Sequence, residues 1–187
     1  MGFWCRGSGL EALVQPHCNC HRSRVCGLPK VQSMSSTLER SVFAVDDRYL
    51  SDQELQPLED YLQSHALRMK TYHLIQAHTD EIVLATLRKM TAGYSQMLQH
   101  HGQTCKRDLT DIMRYIGLCI LKHDQQGFYE EFVLWMDTMM KAFKRKDAAH
   151  AAYTYLRSIV AESFPADSAK LVNLYVDRLI AAMDQGS

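Results

Sequence analysis

Cys105 and Asp108 stand three residues apart in the run Thr104-Cys105-Lys106-Arg107-Asp108-Leu109. On a helix that spacing puts thiol and carboxylate over one face, while Arg107 points to the side. Gly102 punctuates the chain just before, and the apolar stripe Leu109, Ile112, Met113, Ile116, Ile120 follows. The pattern predicts a helix beginning at Thr104, with Cys105 in its first turn. There the helix dipole, Lys106 and Arg107 would all favour the thiolate. A reactive sulfur, a guanidinium and a carboxylate within one turn suit a planar molecule bearing both carboxylates and N–H groups. The same residues also read as a partly buried cysteine beside an exposed ion pair, and spacing alone leaves both readings open.

Other chemistry is scarce. There is no G-x-S-x-G, no Gly-rich phosphate loop and no H-E-x-x-H, so no catalytic residue is nominated and an enzyme is not expected. His17, Cys18, Cys20, His21 and Cys26 could supply zinc ligands, but C-x-C is tight and no distant second pair completes a structural site, so no metal is expected. Residues 1–33, which carry four of the six cysteines, read instead as a non-structural leader or an extension translated from an early start, with Met34 opening the body. Cys119, between Ile116 and Ile120, reads as a core thiol, and two thiols in the body imply no disulfide framework. His73, His78, His100, His101 and His123 are the candidate haem ligands; polar neighbours put His73 and His123 on exposed faces.

The elements that must position Cys105 are helical. The chain has 187 residues, 47% hydrophobic and 22% charged, in the range of globular proteins and outside that of disordered ones. Its 21 basic and 21 acidic residues cancel, giving no electrostatic footprint for nucleic acid. The leader holds four bases and one acid, which leaves 17 bases and 20 acids, a net of −3, for residues 34–187. No apolar run reaches the length of a transmembrane helix. Helical periodicity covers the body, with no alternating strand. Ser35 or Ser36 opens a first helix with Leu38, Val42 and Val45, and Ser51-Asp52-Gln53-Glu54 is a capping box ahead of Leu55, Leu58, Leu62, Ala66 and Met69. Thr79 caps, or merely lies within, a segment holding Ile82, Ala85, Thr86 and Met90. Further stripes run Phe128, Phe132, Met136, Met139, Phe143; then Ala151, Ala152, Tyr155, Ile159 behind Asp147; then Leu171, Leu174, Tyr175, Leu179, Met183 after Phe164-Pro165. Seven or eight helices with short connections make an all-α domain over 34–187.

Four segments in order resemble the phycobiliproteins, of the allophycocyanin type: Met34-Ser35-Ser36 through Asp47-Arg48-Tyr49-Leu50-Ser51; the C-x-R-D-L motif Cys105 to Leu109; the ungapped register through Arg114, Asp124, Met139 and Lys141; and Tyr175 to Met183. The resemblance implies a globin-like helical fold with two extra N-terminal helices that pair subunits. It implies a linear tetrapyrrole of the phycocyanobilin type, held by a thioether to Cys105, with Arg107 on a propionate and Asp108 accepting from the inner pyrrole N–H groups. Its function would be absorbing light and passing on excitation in or near the phycobilisome, with no catalysis. Its partners would be a second such subunit, identical or different, and other phycobilisome components, in the cytoplasm or peripherally on thylakoids.

The chain also departs from the family. Between Ile82 and Cys105 it is shorter by roughly a dozen residues and lacks the loop that normally walls the pigment pocket. Asp111 and Ile112 replace an aromatic pair, Met140 replaces a tyrosine, and Phe143-Lys144-Arg145-Lys146 replaces a Leu-Gly-Pro region. The basic stretch Lys141–Lys146 reads as a solvated face or a docking patch. The alternative function is a phycobiliprotein-like regulator or assembly factor that binds other proteins, with no pigment or a loosely held one; a haem-binding globin-like sensor is a third.

Overall fold

The structure, a computed structural model, describes residues 48–184. The leader and the first expected helix lie outside the described residues. In order come α1 (Asp52–Gln63), α2 (His65–Lys122), α3 (Gln125–Gly127), a π-helical segment (Phe128–Val133), α4 (Leu134–Phe143), α5 (Lys146–Ser163) and α6 (Ala166–Asp184). No strand occurs among the described residues.

Helix α2 organises everything else. Its 58 residues would run about 87 Å if straight, but Tyr94 leaves the helical region (φ −131°, ψ 29°) and the chain turns back there. Arg68 donates to the Leu121 carbonyl, a Cβ on Gly117 would lie 3.3 Å from the Tyr72 ring, and Leu84 shares a groove with Leu98, Gly102 and Lys106. These pairings centre on residue 94 or 95, so the two arms (65–93 and 95–122) lie antiparallel as a hairpin with a one-residue turn. The break is where Gly93 predicts it. Gly102, however, is passed without interruption: a Cβ there would have nothing within 4 Å, and a lone glycine in a helix costs only about 1 kcal/mol.

Each arm buries one stripe. On the first these are Arg68, Thr71, Ile75, Thr79, Ile82, Val83, Thr86 and Met90; on the second, Cys105, Asp108, Leu109, Ile112, Met113, Ile116, Cys119 and Ile120. Thr79 is therefore a core residue in mid-helix, not a cap. It tolerates burial because its hydroxyl donates to the Ile75 carbonyl (2.5 Å), as Thr86 does to Ile82 (2.9 Å). Helices α5 and α6 pack against each other and across both arms, burying Tyr153, Leu156, Val160, Val172, Val176 and Leu179. Each fully buried Leu, Ile or Val is worth roughly 1.5–3 kcal/mol, so this stripe-on-stripe core is the main source of stability. Several stripe residues fall outside it: Phe143 and Leu174 are 42% and 40% exposed, and Leu62 and Ala66 face solvent as well.

The caps behave as side-chain chemistry requires. Glu54 accepts from the Ser51 N–H (2.9 Å) in the expected capping box, and Arg48 clasps the same carboxylate (2.6 Å). Asp124 accepts from the Gly127 N–H (2.9 Å). Helix α6 starts at Ala166, immediately after Pro165, a residue or two before the expected Asp167 or Ser168. Helix α5 begins at Lys146, so Asp147 lies inside its first turn and Arg145 occupies the cap position.

Helix α1 buries none of its residues, and Leu62 is 68% exposed. Arg68 anchors it. Its guanidinium, 2% exposed, bonds the Tyr61 carbonyl (2.5 Å) and the Leu121 carbonyl and lies 3.9 Å from the centre of the Tyr61 ring. One planar cation thus satisfies the carboxyl ends of α1 and of the second arm together.

Candidate functional site

The second arm carries Cys105 eleven residues past the turn, about three helical turns in. This corrects the expectation of a helix starting at Thr104. Cys105 gains nothing from a helix N-terminus, because the amides around it are already paired within the helix. Its side chain has no exposed surface, and Asp108, one turn on, is 1% exposed. Burial, with the Asp108 carboxylate adding to it, pushes the Cys105 thiol up to about 11; Arg145 acts weakly in the other direction. The expected activated thiolate is therefore not found: the closed fold holds a protonated thiol.

Tyr153 of α5 completes the inner wall. It is fully buried, and its hydroxyl is pushed up by burial first and by Asp108 second. Arg107 lies on the exposed side of the same turn. The structure thus brings Cys105 and Asp108 together inside the fold and sets Arg107 outside it, next to solvent. Sequence reasoning missed Tyr153 as a neighbour of Asp108 and Arg145 as a neighbour of the thiol. Tyr153 carries no local signal, since its place depends on how α5 crosses the second arm. Arg145 stood in view within the basic stretch.

That stretch divides by role. Lys141 and Lys146 both pair with Asp137, at 2.6 and 3.0 Å. Lys144 takes the left-handed conformation that closes α4 (φ 52°), and Arg145 caps α5 on the side of the thiol. Lys141 and Lys144 stay exposed while Arg145 and Lys146 are half-buried, so the run is a solvated face at its start and is tied into the fold at its end. The histidines do not converge. His78 pairs with Glu81 (3.1 Å), His100 and His101 contact each other, and His123 closes α2 between Tyr61 and Arg68. None of the five is buried, and among the described residues no His, Cys, Asp and Glu gather into a metal-binding group. Cys119 is 5% exposed, as a core thiol should be, with its sulfur against Tyr115.

A cavity of about 420 Å³ opens between the arms, lined by Tyr72, Gln76, Asp80, Thr110, Arg114 and Leu118. It does not reach Cys105 or Asp108.

The sequence model of the phycobilisome proteins matches residues 42–183, most of the chain and all of the helices described except the final residue of α6. The chain belongs to the phycobilisome protein family. Proteins of this family are light-harvesting pigment proteins with a globin-like all-α fold, and they carry linear tetrapyrroles. No curated protein matches the sequence. Within the phycobilisome frame, Cys105 and Asp108 of the C-x-R-D run occupy the inner face of the central hairpin, and no helix among the described residues is long and apolar enough to cross a membrane.

Proposed function

We propose that the chain is a pigment-bearing subunit of the phycobilisome, which holds a linear tetrapyrrole of the phycocyanobilin type at Cys105, Arg107 and Asp108, absorbs light and passes on the excitation. The observation that carries this reading is the division of the motif by the fold. Thiol and carboxylate share the buried side of one helical turn while the guanidinium stays at the surface. The donor set suits the pigment. A buried carboxylate accepts from pyrrole N–H groups where no water competes. An exposed guanidinium takes a propionate in a planar fork. Cys105 would hold the pigment through a thioether at its ethylidene side chain, an addition that is redox-neutral, and the bound group would supply the light absorption. Tyr153 helps to keep water from the carboxylate.

Because Cys105 is closed off, attachment requires the second arm and the start of α5 to part. Tyr94 ties these two elements by donating to the Asp147 carbonyl at 3.2 Å. The exposed apolar side of α1 suits pairing with a second phycobilisome-family subunit, and the place of action is the cytoplasm or the thylakoid surface.

The alternative, a regulator or assembly factor of the same fold that acts by binding proteins, is favoured by one observation: a thiol with no exposed surface and a proton held up to about 11 is poorly placed to take a pigment. The visible spectrum of protein purified from its own cell separates the two. A pigment band, with zinc-enhanced fluorescence surviving a denaturing gel and lost in Cys105→Ala, is expected. A colourless protein that co-purifies with phycobilisome components would overturn the pigment reading in favour of the alternative.

A further inference from the structure

The hairpin leaves a second concave surface beside the motif. Near the turn, Leu84, Leu87 and Thr91 of the first arm face Leu98 of the second across an apolar groove of about 260 Å³, with Arg88 and Lys106 on its rim. Lys106 follows Cys105 directly, so it projects about 100° round the helix from the thiol. The groove is therefore distinct from the inner face that Cys105 and Asp108 occupy. Among the described residues no carboxylate pairs with Arg88 or Lys106. Glu81, the nearest acid along the first arm, is engaged by His78, and Glu162 by Lys89.

We infer that this groove binds an anionic amphiphile, a carboxylate on a linear apolar chain. The apolar floor disfavours a hydrophilic anion, and the two cations that line the groove supply charge that no carboxylate among the described residues answers. Size bounds the ligand as well. At roughly 30 Å³ per heavy atom at liquid density, the groove takes roughly nine such atoms, the length of a medium-chain fatty acid. A complete tetrapyrrole is several times too large, so the inference does not rest on the pigment reading.

Gly102 supplies a clean test. It lines the groove, yet an added Cβ there would meet nothing within 4 Å, so a bulky residue fills the groove without disturbing the core. Titration of the full-length protein with heptanoate, followed by calorimetry or by chemical shifts of the Leu84, Leu87 and Leu98 methyl groups, should show saturable one-to-one binding. Gly102→Phe should abolish it. The double variant Arg88→Glu, Lys106→Glu should weaken it about tenfold, as should replacing heptanoate by heptanol on the wild type. Cys105→Ala should bind as the wild type does. Absence of saturable binding overturns the inference, as does binding unmoved by Gly102→Phe and by the charge reversals. Loss of binding in Cys105→Ala also overturns it, by moving the ligand to the thiol.

Discussion

Chemical protection of Cys105 follows directly from its place in the hairpin. A thiol with the ordinary value of 9.0 is ionised to about one part in ten at pH 8, whereas one at about 11 is ionised to about one part in a thousand. Iodoacetamide reacts with the thiolate, so ionisation alone slows native Cys105 about a hundredfold against unfolded chain. Its lack of exposed surface adds the cost of local opening. The assay is timed alkylation at pH 8, with and without urea, followed by digestion and quantification of the peptide that carries Cys105. Cys119, also raised to about 11, is an internal comparator. Asp108→Asn should speed the native reaction severalfold, because the carboxylate is the second cause of the shift after burial. If native Cys105 reacts within a factor of ten of the unfolded chain, the closed-pocket geometry is wrong and no parting of the second arm from α5 is needed for attachment.

Three further outcomes are expected. Folded Cys105 and Cys119 keep their protons to about pH 11 while the unfolded thiols release theirs from about pH 9, so stability should hold below pH 9 and fall between pH 9 and 11, by up to roughly 2–3 kcal/mol per thiol; a melting temperature flat across that window refutes it. Arg68→Met should cost about 2–4 kcal/mol in urea unfolding and speed proteolysis within 52–63 relative to 146–184, since it removes charged hydrogen bonds to two helix ends; Arg68→Lys should rescue little of this, having no planar fork. Gly127→Ala should cost about 1–2 kcal/mol by denaturant titration, because the new Cβ would lie 2.5 Å from an Asp124 carboxylate oxygen and displace the cap.

The helical class was legible because the stripes are strong. Leu109, Ile112, Met113, Ile116 and Ile120 are all buried as their spacing requires. The capping box at Ser51 and the stop at Phe164-Pro165 are local chemistry and were equally readable. Phe143 and Leu174 were misplaced because a periodic pattern shows that a stripe exists but not how wide it is. Val172 and Val176, one turn apart, face the core beside Tyr175. The π-helical turn at Phe128–Val133 was not legible, since it is set by how Phe128 and Phe132 pack round Tyr115 and Tyr175. At the candidate site the grouping of Cys105 with Asp108 was readable from three-residue spacing. The electrostatic sense of the site was not. It depends on whether the helix begins at residue 95 or 104, and Gly102 carries the same local signal in both cases.

The one-residue turn at Tyr94 also limits how this chain can change length. Inserting a single residue between Tyr94 and Thr104 would, if the second arm stayed helical, advance every later position by 100°. Cys105 and Asp108 would swing off the inner wall and the Leu109-to-Ile120 stripe would turn out of the core. Insertions of seven residues preserve that phase to within about 20°. Viable length variants of the segment should therefore differ by near-whole numbers of turns, such as seven or eleven residues, or carry a looped-out bulge at the tip that leaves the arm's phase untouched.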